Sequence, residues 1–237
     1  MNYQLLSLLA FSVFFVSLSV GGQTLVPNPS FEEYEDCPFS TGALENSSES
    51  WESWSFSPDL FHECSNDLDG LAGVPDNAWG WQEPITGDAY AGVFTYTYNG
   101  LNIREYMAAP LNEALEVGQE YYLMFYTSMY DGGEKAINWC ATNHIGLRFF
   151  LNPEYDHQIN AFSPDNFAHL DYSEVLTDTL TWTKVEGYFT ADEAYNWVAI
   201  GNFFTDENTE LLPLNSNGTC SGIYYIENIC VGLSPSD

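Results

Sequence analysis

Two short motifs bracket the chain, and each carries one acidic residue: Asn28-Pro29-Ser30-Phe31-Glu32 near the start and Tyr225-Ile226-Glu227-Asn228-Ile229 near the end. Carboxylates at the two ends, Glu32 and Glu227, are placed to share a cation and to tie a first strand to a last one. A second set of residues suits a different chemistry. Trp79, Trp81, Gln82, Tyr96, Tyr98 and Arg104 fall within one loop-strand-loop unit, with Asn99 and Glu105 beside them. Flat aromatic faces stack on the C–H surfaces of sugar rings, and amide, guanidinium and carboxylate groups hydrogen-bond the hydroxyls. The same rings are also what strands prefer, so packing competes with binding for every one of them.

Hydrolytic chemistry has less to stand on. A glycosidase needs two carboxylates about 5 to 9.5 Å apart across a cleft, but with 34 Asp and Glu some pair always looks suitable. The chain has no GxSxG elbow, no HExxH and no Gly-rich phosphate loop before a lysine. Its four histidines, His62, His144, His157 and His169, are too scattered for a ready zinc site. His169 with Asp171 is the one pair spaced to form a base and its orienter; Asp156 and His157, as neighbours, point to opposite faces of a strand.

The background holding these residues is strongly acidic. Four Lys and Arg against 34 Asp and Glu give a formal charge of −30, which repels phosphate backbones and anionic membranes and excludes nucleic acid as a partner. The apolar run from Leu5 to Val20, followed by Gly21 and Gly22, reads as a secretory signal peptide over residues 1–22. No later stretch has the length of a membrane helix, so the mature chain is expected to be exported without insertion. All five cysteines lie beyond the leader and none forms a CxxC pair, which points to disulfides. Cys37 with Cys64 is the first choice. Cys140 pairs with Cys220, or Cys220 with Cys230, and in the first case Cys230 is a buried thiol in a strand.

The elements that must position these groups read as β-strands. Period-2 runs separated by turn residues predict strands at Tyr90–Tyr98, Arg104–Ala109, Tyr121–Tyr130, His144–Leu151, Trp182–Phe189, Trp197–Phe204 and Ile223–Val231. In the third, Leu123, Phe125, Thr127 and Met129 share one face and Tyr122, Met124, Tyr126 and Tyr130 the other. No segment carries a sustained helical stripe, so the fold class is all-β, an antiparallel β-sandwich in one domain over 23–237. Residues 35–88 read as a long ordered loop region, because Trp51, Trp54, Phe56, Phe61, Trp79 and Trp81 need a surface to pack on.

Taken in order, the two end motifs, Gly87-Asp88-Ala89-Tyr90-Ala91-Gly92, Arg104-Glu105-Tyr106, Pro110-Leu111, Trp182 and Ile200-Gly201-Asn202-Phe203 resemble secreted Bacteroidetes proteins with a galactose-binding-like jelly roll. That jelly roll is similar to the carbohydrate-binding modules of xylanases and glucanases, and relatives are often fused to OmpA-like domains. The resemblance implies a structural calcium at the positions of Glu32 and Glu227, although Asp usually stands where Glu227 does. It also implies a secreted, non-catalytic module for extracellular or cell-surface glycan. The alternative is a structural or adhesive protein that docks on another protein of the cell envelope, since this fold hosts both roles.

Overall fold

The computed structural model describes residues 24–66, 69–98, 101–132, 139–153, 163–215 and 220–235. The expected leader therefore lies outside the described residues, as do Asn99 and His157. After a short helix α1 (Leu44–Ser47), the strands in chain order are β1 (Glu52–Ser55), β2 (Asp59–His62), β3 (Ala89–Tyr96), β4 (Tyr106–Pro110), β5 (Glu120–Met129) and β6 (Trp139–Thr142). They continue with β7 (Ile145–Phe150), β8 (Leu170–Tyr172), β9 (Thr183–Thr190), β10 (Trp197–Gly201), β11 (Leu211–Asn215) and β12 (Gly222–Gly232).

Two five-stranded sheets stack face to face, in the orders β1-β4-β10-β7-β8 and β2-β3-β12-β5-β9, with β6 and β11 as a separate pair. Every strand pairing within these sheets is antiparallel. The chain is an antiparallel β-sandwich, as the alternation predicted, and of the jelly-roll kind that the resemblance implied. Strand parity explains which side chains meet between the sheets. Leu123, Phe125 and Met129 of β5 face Met107, Leu147, Phe149, Val198 and Ile200 of the first sheet in one core. Each such side chain contributes about 1.5 to 3 kcal/mol by leaving water.

The chain ends close as the bracketing motifs imply. β12 runs through the middle of the second sheet, and the first described residues lie along its far end. Leu25 N–H donates to the Val231 carbonyl (2.7 Å) and Ile229 N–H to the Pro29 carbonyl (3.0 Å).

The 35–88 region departs from the expected loop. It supplies an edge strand to each sheet, β1 to the first and β2 to the second. The chain crosses between sheets through Phe56, Ser57 and Pro58, with Phe56 in the left-handed region at φ 55°. Period-2 reading fails here because β2 is buried along its whole length and its polar residues, Asp59 and His62, stand at its two ends instead of at alternate positions. Likewise β8 lies between the strands predicted at His144–Leu151 and Trp182–Phe189, where the alternation predicts none. The first-choice disulfide Cys37–Cys64 forms, and of the two alternatives for Cys220 the bond is to Cys140, with Cα separations of 5.7 and 5.5 Å. Cys230 is buried and in neither.

Candidate functional site

The six aromatic and polar residues of the 79–104 unit do not assemble into one platform. Trp79 packs edge-on against Phe94 at 5.5 Å, and its indole N–H donates to Asp59 Oδ2 at 2.6 Å. Gln82 is buried. Arg104 is buried too, held by Asp206 at 2.7 Å and by the Ile103 and Phe204 carbonyls, with its guanidinium over the ring of Tyr96. A guanidinium paired in this way is a structural tie between the 96–104 and 204–209 segments. Trp81 and Tyr98 alone are well exposed, at 47% and 60%. The loop around Trp79 closes over the outer face of the second sheet, where Asn77 accepts from Tyr225 Oη–H and donates to Tyr90 Oη, both at 2.9 Å.

Beneath that loop lies a pair of buried carboxylates, Asp59, which sequence reasoning did not single out, and Glu105, which it placed beside the sugar-binding set. Asp59 accepts the Trp79 indole and the Gly42 N–H; Glu105 accepts the Phe94 N–H at 2.9 Å and bonds with Ser57. Burial pushes Asp59 up to about 6, and burial together with the Asp59 charge pushes Glu105 up to about 8. These hydrogen bonds tie the segments at Gly42, Ser57, Trp79 and Glu105 to one another and to β2 and β3, so the pair serves the fold.

Glu32 and Glu227 do converge, on the turn at residues 85–88. Both oxygens of Glu32 take the Asp88 N–H at 3.1 Å. Glu227 accepts the Ile85 and Thr86 N–H groups at 2.7 and 2.8 Å, the Thr86 hydroxyl and the Asn228 amide. Four donors occupy about as many lone-pair sites as a carboxylate has. Burial pushes Glu227 up to about 7, and the charge of Glu32 adds to the shift. Among the described residues, no group of three or more His, Cys, Asp or Glu is arranged to hold a metal.

The histidines resolve differently from the expected pairing. Asp171 bonds His144 Nδ1 at 2.8 Å, and the His144 ring stacks on Phe204 at 3.7 Å. No hydroxyl or thiol among the described residues bonds this histidine. His169 instead accepts the Phe149 N–H, and burial among aromatic rings pushes it down to about 4.

The outer face of the first sheet presents the more promising constellation. Across β4, β10 and β7 the pairings Ala108–Ala199–Arg148 and Pro110–Trp197–Phe150 place these residues on the face away from the core. Because Ala108 and Ala199 are small, the Trp54 indole from β1 fits over them. Its ring lies 5.0 Å from that of Phe150 and 5.5 Å from that of Trp197. In the next row Gly201 leaves room for Tyr106, since a Cβ there would stand 2.5 Å from the Tyr106 ring. Tyr106 then stacks on Phe203 at 5.1 Å. This second aromatic cluster is separate from the core.

One end of the cluster opens into a cleft of about 320 Å³ lined by Trp197, Glu45, Glu52 and Pro153. That volume falls at the low end of small-ligand pockets, ~300–1,000 Å³. Trp54, buried behind Trp197, has an indole N–H with no hydrogen-bond partner. On the opposite side of the sandwich a cleft of about 270 Å³ between Thr86, Met124, Tyr126 and Cys230 has one aromatic ring and no carboxylate in its lining. Trp197 and Glu52 escaped sequence reasoning, which followed the density of aromatics at 79–106. The signal that could have found Glu52 is Glu52-Ser53-Trp54-Ser55, where alternate residues put a carboxylate and an indole on one face.

No family model matches the chain, and no curated protein matches it. Among solved structures, the chain is similar to the CBM22-1 xylan-binding domain of Paenibacillus barcinonensis Xyn10C, at 11% identity over 90% of this chain and 95% of that one, with a TM-score of 0.44. It is similar to the K1 cleaved adhesin domain of Lys-gingipain from Porphyromonas gingivalis W83, at 13% identity over 90% and 100%, with a TM-score of 0.40. A third is the N-terminal cellulose-binding domain of Cellulomonas fimi β-1,4-glucanase C, at 12% identity over 85% and 98%, with a TM-score of 0.35. Likeness at this level carries no argument about ligand, and the sandwich assignment rests on the strand order itself.

Proposed function

We propose that the protein is a secreted, non-catalytic module that binds glycan in the Trp197 cleft. The observation that carries this reading is the cleft itself: a half-buried tryptophan face beside two carboxylates. Aromatic faces stack on sugar rings, and carboxylates accept hydroxyl hydrogens. Two disulfides within the domain support an oxidising compartment. Among the described residues, no helix is long and apolar enough to cross a membrane.

A glycan-array screen of the folded protein tests the reading, followed by titration of the best ligand into Trp197→Ala. Removal of the stacking face should weaken binding about tenfold or more in a variant that still melts cooperatively, though at a lower temperature because the ring also packs on Trp54. Absence of glycan affinity in the folded protein would reject the proposal.

Calcium at Glu32 and Glu227 stands as a separate proposal. Its support is that both carboxylates reach one turn; its cost is that the ion must displace donors from Glu227. Chelation should then lower the melting temperature, and Glu32→Ala should remove that sensitivity. A melting curve unchanged by chelator would reject the ion.

A further inference from the structure

A sheet face that binds a sugar chain presents a stacking ring to each of several units, whereas a site for one unit needs a single ring. Among the described residues, the second aromatic cluster brings together six rings on the outer side of the first sheet: Trp54, Tyr106, Phe150, Trp197, Phe203 and Phe204. Five of them are covered. Trp54, Tyr106, Phe150 and Phe203 are buried, and Phe204 lies beneath the His144 imidazole at 3.7 Å. Trp197 alone of the six lines the cleft, half-buried, with Trp54 against it at 5.5 Å.

The neighbours of Trp197 supply no second stacking face. Across the sheet it pairs with Pro110 on β4 and with Phe150 on β7, one a pyrrolidine ring and the other buried. The next outward position on β10 is Ala199, beneath Trp54. Glu45, Glu52 and Pro153 complete the lining. Phe167 is exposed, but its ring and that of Phe150 both lie against the Arg148 guanidinium, at 5.3 and 5.2 Å, and it does not reach the cleft. The cleft of about 320 Å³ stands at the small end of ligand pockets, ~300–1,000 Å³. A formal charge of −30 turns acidic sugars away, and a neutral pyranose offers the C–H face that an indole takes.

Resting on the glycan-binding reading above, we infer that the cleft holds one neutral pyranose unit against Trp197. Extending the ligand into a polysaccharide then adds no further subsite, and the protein reads single sugar units instead of the run of a chain.

NMR titration of the full chain tests this with four pairs of probes: the methyl β-glycosides of glucose, galactose, mannose and xylose, each beside its own β-1,4-linked hexamer. In at least one pair both members should bind, the hexamer about sixfold tighter at most, which is the advantage of offering six equivalent units. Trp197→Ala, checked for cooperative melting, should lose both members of that pair, and the exposed Phe167→Ala should lose neither. Three results would show a second subsite and overturn the inference with glycan binding intact: a hexamer favoured by more than about tenfold, a hexamer that binds where its glycoside does not, or a Phe167→Ala loss confined to the hexamer. Binding undiminished in Trp197→Ala overturns the cleft as the place. Silence from all eight probes in a chain that responds to other glycans on an array overturns the neutral pyranose and leaves glycan binding standing. Silence on the array as well overturns the underlying reading itself.

Discussion

Trp54 owes its position to two alanines. Ala108 and Ala199 face outward at the centre of the first sheet, and their small side chains leave the space the indole occupies. Ala199→Leu should therefore destabilise the fold by about 1 to 3 kcal/mol through overpacking, and should displace Trp54 enough to weaken ligand binding. Thermal melts and titrations check both; unchanged stability and affinity would mean the floor is not what holds the ring. The buried pair Asp59 and Glu105 makes a second residue-level prediction. Burial holds both folded values above the unfolded ones of 3.8 and 4.5, so the folded chain keeps protons that the unfolded chain releases. Their contribution to stability is full below about pH 4 and is lost as pH rises through the folded values of about 6 and about 8. The melting temperature should fall from pH 5 to 8, and Glu105→Gln should flatten the fall; a melting temperature rising across that range would contradict the account. Little of this was legible in the sequence. Asp59 and Glu105 are two acids among 34, and nothing in their spacing shows that β2 and the lead into β4 become buried neighbours of β3.

At the scale of elements, the crossover from β1 to β2 joins the two sheets at their edges. The Cys37–Cys64 disulfide closes a 27-residue separation around this crossover. Replacing both cysteines by alanine should cost about 3 to 4 kcal/mol on the chain-entropy relation, read as a shift in denaturation midpoint. A loss below about 1 kcal/mol would show that the loop is already ordered without the bond. The seven strands read from alternation are all present, because sheet interiors impose period 2 on sequence. The missed strands, β1, β2, β6, β8 and β11, are short, and each is an edge strand or part of the two-stranded sheet. With three to five residues they hold too few alternations to separate from loop, and β2 shows none at all. The site followed the same rule: Trp197 begins a strand that was read correctly, but its partner Glu52 sits on one that was not.

For the whole molecule, the two ends and the two faces divide the work. The bracketing motifs close the sandwich along β12, and Glu227 gathers the 85–88 turn onto it. The outer face of the second sheet is covered around β3 by the Trp79 loop, so the aromatics most prominent in the sequence are largely spent on packing. The first sheet keeps its aromatic row open at one end, where the acidic surface meets Trp197. The most direct test follows the seven indole N–H resonances during titration with a bound oligosaccharide. The account predicts that the Trp197 and Trp54 signals shift together while that of exposed Trp81 stays in place. Shifts at Trp81 with Trp197 and Trp54 unmoved would contradict it.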